Sequence, residues 1–436
     1  MARRILITLG LLLVVLAGVA VYARATGWRL PGLPAPPLES SLGSLAKRGD
    51  SLEMASFARR HCGLLKDPDK RHCYEDIFLK LTESDHVRLA MGALNRLGTL
   101  DPDVVRLGHD YTHVVGINAW TRGKDLGKVY DSCTELFQSG CYHGVIQAYM
   151  SAMGTDSATV AGICGQIPST STSMWLRFQC VHGLGHGLVQ TKGLRLPRAL
   201  GGCDLLASAW DRESCYGGAF MEFILAARGQ SHHPAAHGQH LHAHAAEPDT
   251  GPPFKVRDRS DPLYPCTALD RRYQQACYMM QAGIIIEITG PDFGKIAQAC
   301  DRAPLGMRET CYQGIGTYTS GFTVRNTPQA IKLCSMGSER YRPWCFVGVV
   351  KNYIDVTARA EDGLEFCRQL PDRGIATSCY VAVGQEISVL RSAPAEREAE
   401  CAKTVAEYRP ACRYGAQLTG DRPRDLPLGD VASASP

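Results

Sequence analysis

Apolar runs and short polar turns alternate along this chain at a nearly fixed interval. In AIKLCSMGSERYRPWCFVGVVKNYI, residues 330–354, one apolar run closes at Cys334, a polar turn follows, and a second run opens at Cys345. That pattern predicts two helices joined by a tight turn. The opening of the second run returns as CYED at 73, CYHG at 141, CVHG at 180, CYGG at 215, CYMM at 277, CYQG at 311, CFVG at 345, CYVA at 379 and CRYG at 412. Most intervals are 33 to 35 residues, the size of a helix-turn-helix unit whose pairs stack into a superhelix. The predicted fold class is therefore all-α, an α-solenoid of about ten such repeats.

Cysteine sharpens this picture. The chain has 18, in near-neighbour couples 62/73, 133/141, 164/180, 203/215, 266/277, 300/311, 334/345, 367/379 and 401/412. None has the CxxC spacing of zinc clusters. Couples this regular are read as one disulfide per unit, which requires an oxidising compartment. In the chain-entropy model a loop of this size contributes roughly 3 kcal/mol. Glycine at the third residue after the cysteine is expected to let the next helix come close, at a helix penalty of about 1 kcal/mol. Tyrosine directly after it, at Tyr74, Tyr142, Tyr216, Tyr278, Tyr312 and Tyr380, recurs in units with and without histidine and marks repeat packing.

Two intervals break the rhythm. The 68-residue gap between Cys73 and Cys141 holds two periods, and its midpoint, Leu107, is expected to head a unit without a disulfide. The 62 residues between Cys215 and Cys277 hold one period plus an insertion, residues 228–262, rich in His, Pro and Gly and expected to be a loop.

The cysteine-framed units resemble the disulfide-stapled, cysteine-rich relatives of the tetratricopeptide repeat, secreted α-solenoids whose couples are more closely spaced than most of these. The likeness runs from about Leu45 to Thr419 and is one of architecture. It implies a stacked superhelix with a concave binding face, and it brings no catalytic residue with it.

Arg3 and Arg4 precede an apolar run from Ile5 to Tyr22, a positive start that keeps that end in the cytoplasm. Residues 1–25 are expected to be a membrane anchor, or a signal peptide cut at Ala23-Arg24-Ala25. Residues 26–44, with Pro31, Pro34, Pro36 and Pro37, are expected to form a stiff linker, and residues 420–436 a disordered tail. The folded part then lies in the periplasm or outside the cell. A formal net charge of +4 gives no reason to expect a nucleic-acid partner. The expected partners are the membrane, through the N-terminal helix, and an envelope protein on the concave face.

Of 14 histidines, none lies after His244. Counting each second cysteine as zero, His182 and His186 stand at +2 and +6, His143 at +2, and, from Leu107, His109 and His113 at +2 and +6. Residues four apart share one helix face, so an HxxxH pair can offer two imidazoles to one ion. Stacked helices about 8–10 Å apart would bring successive units to one centre. Glu222, at +7 of the next unit, adds a carboxylate. The candidate metal ligands are His109, His113, His143, His182, His186 and Glu222. Imidazole suits iron, copper and zinc alike. Elsewhere the +6 position carries Thr317, Lys351 and Gln385, which predicts a wet groove open to substrate.

These residues point to a metal-dependent oxidoreductase as the most concrete function, with hydrolysis behind it. A non-enzymatic scaffold and a metallochaperone, with the tract HHPAAHGQHLHAHA as a chelating arm, are the alternatives. HDYTH at 109–113 resembles the zincin HExxH with aspartate for glutamate, but no motif places that family's third ligand. One HxxxH pair with Glu222 would make a 2-His-1-carboxylate iron site.

Overall fold

A computed structural model describes residues 38–83, 85–192, 195–227, 254–323, 326–370 and 372–430. The expected anchor at 1–25 lies outside them, and among the described residues no helix is long and apolar enough to cross a membrane. The His-rich tract falls outside as well. Leu38–Arg48 is a helix belonging to a separate unit, so the last residues of the expected linker are helical.

Residues 49–430 are built from pairs of helices, and no strand occurs among the described residues. The second helix of each pair is labelled here: α1 Asp69–Glu83, α2 Pro102–Ala119, α3 Gly140–Met153, α4 Met174–Lys192, α5 Ala209–Ala227, α6 Arg271–Met280, α7 Arg308–Thr323, α8 Arg342–Thr357, α9 Arg373–Leu390 and α10 Arg409–Gly415. Each of these packs on the next along the chain. The first helix of a pair lies outside this row, as do Ser51–Cys62, Phe293–Cys300, Thr327–Cys334 and Ala360–Cys367, each of which stops at its cysteine.

Local chemistry explains these boundaries. Asp50, Asp125, Asp156, Asp292, Asn326 and Asp372 accept backbone N–H bonds at helix starts, supplying partners that the first turn lacks. All nine cysteine couples are joined as the spacing predicts, with sequence separations of 8 to 16. No free cysteine remains. Nine local disulfides belong to a protein of an oxidising compartment. The repeated tyrosines are buried, and two reach an aspartate that follows the partner cysteine: Tyr312 donates to Asp301 at 2.8 Å, and Tyr216 to Asp204.

Glycine sets how near the row packs. A Cβ on Gly183 or Gly218 would run into the backbone of His143 or His182, and one on Gly348 into Gln313. These glycines stand at +3 and face the +2 residue of the previous unit. Gly185, Gly316 and Gly384, at +5, face the carbonyl of the next unit's cysteine in the same way.

The cysteine-free unit obeys that code in a register different from the expected one. Gly144 meets the backbone of His113, and Gly116 meets the carbonyl of Cys141. Position zero is therefore Tyr111, not Leu107; His113 stands at +2, level with His143 and His182, and His109 lies one turn earlier. Halving a 68-residue gap assumes equal units, whereas these two are unequal. A second correction concerns Cys180, which does not open its helix but lies two turns inside α4.

The row also curls back on itself. α4 packs against α9, and the N–H groups of Phe137 and Gln138 donate to the carbonyls of Val356 and Asp355 at 2.9 and 3.1 Å. The expected wet groove is thus closed around the histidines by the chain's own later helices. The first part of the tail is likewise not disordered: Asp430 is buried and accepts from Arg340 and Tyr341 at 2.9 and 3.0 Å, partners that composition does not reveal.

Packing at these glycines predicts opposite outcomes for two Gly→Ala changes. Gly218→Ala should lose about 1–3 kcal/mol through overpacking. Gly201→Ala, on an exposed helical site with open space around the new methyl, should gain about 0.5–1 kcal/mol. Denaturant midpoints of the two variants test this; equal effects would show that close helix approach does not govern the row.

Candidate metal centre

Three neighbouring helices carry the candidate imidazoles. His109 and His113 come from α2, His143 from α3, and His182 and His186 from α4; Glu222 projects from α5. The close glycine contacts leave no bulky side chain between these helices, so their rings meet. One ligand nitrogen from each of His109, His113, His143 and His186 lies within 4.8 Å of the others. This four-histidine cluster could hold a metal ion.

Hydrogen bonds orient each ring. His109 Nδ1 donates to the Phe137 carbonyl at 3.0 Å, and His113 Nδ1 to Gln147 Oε1 at 2.7 Å. His143 Nε2 donates to Gln179 Oε1 at 2.9 Å, and His186 Nδ1 to Glu222 Oε2 at 2.9 Å. The Gln147 amide is fixed by its own NH2, which faces Glu222 Oε2 at 3.4 Å. In a neutral imidazole one nitrogen carries the proton and the other a lone pair. The four outward bonds therefore leave four lone pairs directed inward, the arrangement by which outlying acceptors prepare histidines for a metal.

The inward geometry calls for positive charge. His109 Nε2 and His113 Nε2 are 3.1 Å apart, a spacing that one ion between them would satisfy. A tetrahedral ion with bonds of 2.0–2.1 Å sets its donors about 3.3 Å apart. His143 Nδ1 is buried and makes no hydrogen bond, which is costly unless an ion takes its lone pair. Burial, followed by the neighbouring His182, His186 and His109, holds the His143 pKa well below its ordinary value. Its ring stays neutral, as a ligand must be. His113, His143 and His186 are 0%, 2% and 0% exposed, and only His109 is half-buried.

The other two predicted residues stand beside the set. The His182 ring lies 4.8 Å from that of His143 and 5.1 Å from that of His186, but it is not among the four mutually close donors. Glu222 reaches the set through hydrogen bonds to His186 and Gln147, so the four-donor group contains no carboxylate for a 2-His-1-carboxylate site. Asp110, the aspartate of the zincin-like HDYTH, pairs with Arg71 at 3.5 Å and is not among the four mutually close donors. Sequence reasoning missed Gln179, the residue before Cys180, and the Phe137 carbonyl. Only the fold brings these acceptors behind their histidines.

The set predicts different outcomes for neighbouring substitutions. Glu222→Ala should weaken metal affinity by about 10–100-fold, since it removes the acceptor behind His186. His182→Ala should keep the full metal stoichiometry. Competition titration with a chelator measures both; loss of the ion from His182→Ala would make that ring a ligand. Comparison of the chain with family models, curated proteins and solved structures gave no match.

Proposed function

We propose that this chain is an extracytoplasmic α-solenoid, tethered through residues 1–25, that carries one resident transition metal on four histidines. The observation that carries the reading is the convergence of one ligand nitrogen from each of His109, His113, His143 and His186 within 4.8 Å of one another. Nine disulfides support the compartment. Four neutral imidazoles suit copper, iron or zinc.

The donor set also bears on the chemistry. Zinc hydrolases use three protein ligands and leave a fourth position to water, whereas here four nitrogens converge in a dry interior. That arrangement favours a redox-active or structural ion over a hydrolytic one, with a metal-dependent oxidoreductase as the enzymatic form of the reading. The ion itself would supply charge to the four lone pairs and, for copper or iron, an exchangeable electron. A docking role for an envelope partner belongs to the outer surface, because α9 occupies the inner face opposite α4.

Metal analysis tests the proposal on protein made in an oxidising compartment without a His tag. About one ion per chain is expected, falling to near zero in His113→Ala and His143→Ala. Saturating the site at 100 times its Kd should also stabilise the fold by about 2.7 kcal/mol, read as a raised Tm. Metal-free protein with an unchanged Tm in the presence of copper(I), iron(II) and zinc would defeat the reading.

A further inference from the structure

Two units carry the same side-chain pair ahead of their second cysteine. Arg272 and Tyr273 precede Cys277 by five and four residues, and Arg340 and Tyr341 precede Cys345 by the same steps. In both, the guanidinium lies over the phenol ring, 5.3 and 5.7 Å from its centre, which orients the cation. Each pair holds an aspartate. Tyr273 donates to Asp204 at 2.7 Å, and Arg272 lies 3.5 Å from the same oxygen. Asp204 follows Cys203 of the preceding unit, and Tyr216 donates to its other oxygen. The matching residue before Arg340 and Tyr341 is Asp301, which follows Cys300 and accepts from Tyr312 at 2.8 Å. Yet Arg340 and Tyr341 hold Asp430, from the end of the chain, instead.

Asp430 is gripped on both its side chain and its backbone. Arg340 donates to Oδ1 through Nε and Nη2 at 3.2 and 2.9 Å, and Tyr341 donates to the same oxygen at 3.0 Å. The N–H of Asp430 donates to the Glu309 carboxylate. A Cβ on Gly429 would lie 2.8 Å from that carboxylate, so the fit favours glycine before the aspartate. The rest of the tail is shallow. Among residues 417–430 only Asp430 is buried, and Leu428 is 57% exposed. Arg373 pairs with Asp425 at 2.7 Å, but both are exposed, and such a pair contributes little. Arg422 donates to the Leu426 and Pro427 carbonyls at 3.0 and 2.9 Å, so the segment supplies a turn of its own. With no apolar side chain buried, it is anchored by charge-assisted hydrogen bonds, which another carboxylate of the same geometry can make.

We propose that Arg340, Tyr341 and Glu309 form a docking site for an acidic peptide of a partner protein, one bearing a Gly-Asp step, and that residues 424–430 fill it in cis as a replaceable occupant. The carboxylate of the ligand is taken by Arg340 and Tyr341, and its N–H by Glu309. The Arg340 side chain is 57% exposed, so the site opens at the edge of the repeat row. A tethered tail competes at about millimolar effective concentration, which sets the affinity a partner must exceed. Nothing in this depends on the metal.

The test uses full-length protein carrying Asp425→Ala and Asp430→Ala, which empties the site and keeps its walls. The probe is a fluorescent, C-terminally amidated peptide with the sequence of residues 424–430, RDLPLGD, followed by anisotropy. Saturable binding is expected. It should weaken by about tenfold or more on the unchanged chain, where the tail competes, and by a similar factor when Arg340→Ala is added or when the last aspartate of the peptide is replaced by asparagine. Should the double change unfold the chain, Asp430→Asn alone, which preserves the shape of the side chain, takes its place. No saturable binding to the emptied site, equal binding to the unchanged chain, or binding indifferent to Arg340 overturns the assignment.

Discussion

Backbone approach between successive inner helices is the constraint on which the structure depends. Glycines at +3 and +5 put main chain against main chain at every step where they occur, as between α3 and α4 or α7 and α8. Helices with side chains between them ordinarily sit 8–10 Å apart; the absent Cβ atoms let these come nearer. Only then can one imidazole from α3 reach between the pair on α2 and the one on α4. The same glycines weaken each helix taken alone. That loss is offset by packing along the row and by a disulfide in almost every unit.

Two kinds of restraint divide the labour. Disulfides and Asp caps act within a unit, over a dozen residues or so, and determine where each helix starts and stops. They say nothing about curvature. Curvature is closed by contacts distant in sequence, where α4 meets α9 and the Phe137–Gln138 turn meets the end of α8. Closure converts a concave face into an interior, and the electrostatics of the histidines change with it. In a low-dielectric surrounding an unmatched lone pair is expensive, and protonation is disfavoured at His143. Acceptors behind the rings then determine which nitrogen faces the centre. Glu222 is the most economical of them, since one oxygen serves both His186 and the Gln147 amide that orients His113.

The units beyond the last histidine thus have a part in the site without supplying a ligand. Ser320, Asn352 and Val356 hold the turn whose carbonyl orients His109: Gln138 donates to the Asn352 side chain, which donates to the Ser320 hydroxyl. A repeat protein stabilised only by nearest neighbours would tolerate loss of distant units at local cost. Here a change at α8 reaches His109 through one turn.

Much of this was legible in the chain. Couples of cysteines at short, regular spacing determined the disulfide pairing, because a loop of eleven residues has few partners within reach. The recurrence of CYxG-like openings determined the helix pairs and placed His143, His182 and His186 on one face. The cysteine-free unit was misplaced by four residues, and yet His109 and His113 still fell on the inner face. Four residues turn an α-helix through only about 40° beyond a full circle, so the error moved the pair along the axis without rotating it away. What periodicity could not contain was depth and orientation. Whether Lys351 or Gln385 marks a wet groove depends on how far the row curls, and that is decided by α9 lying across from α4. Which four of six donors converge, and which nitrogen each presents, depends on Phe137, Gln147, Gln179 and Glu222, brought behind the rings only when separate helices pack. The sequence alone determined the repeat and the face, because both follow from local spacing; the closed interior and the inward lone pairs belong to the tertiary structure, because both require contacts between residues far apart in the chain.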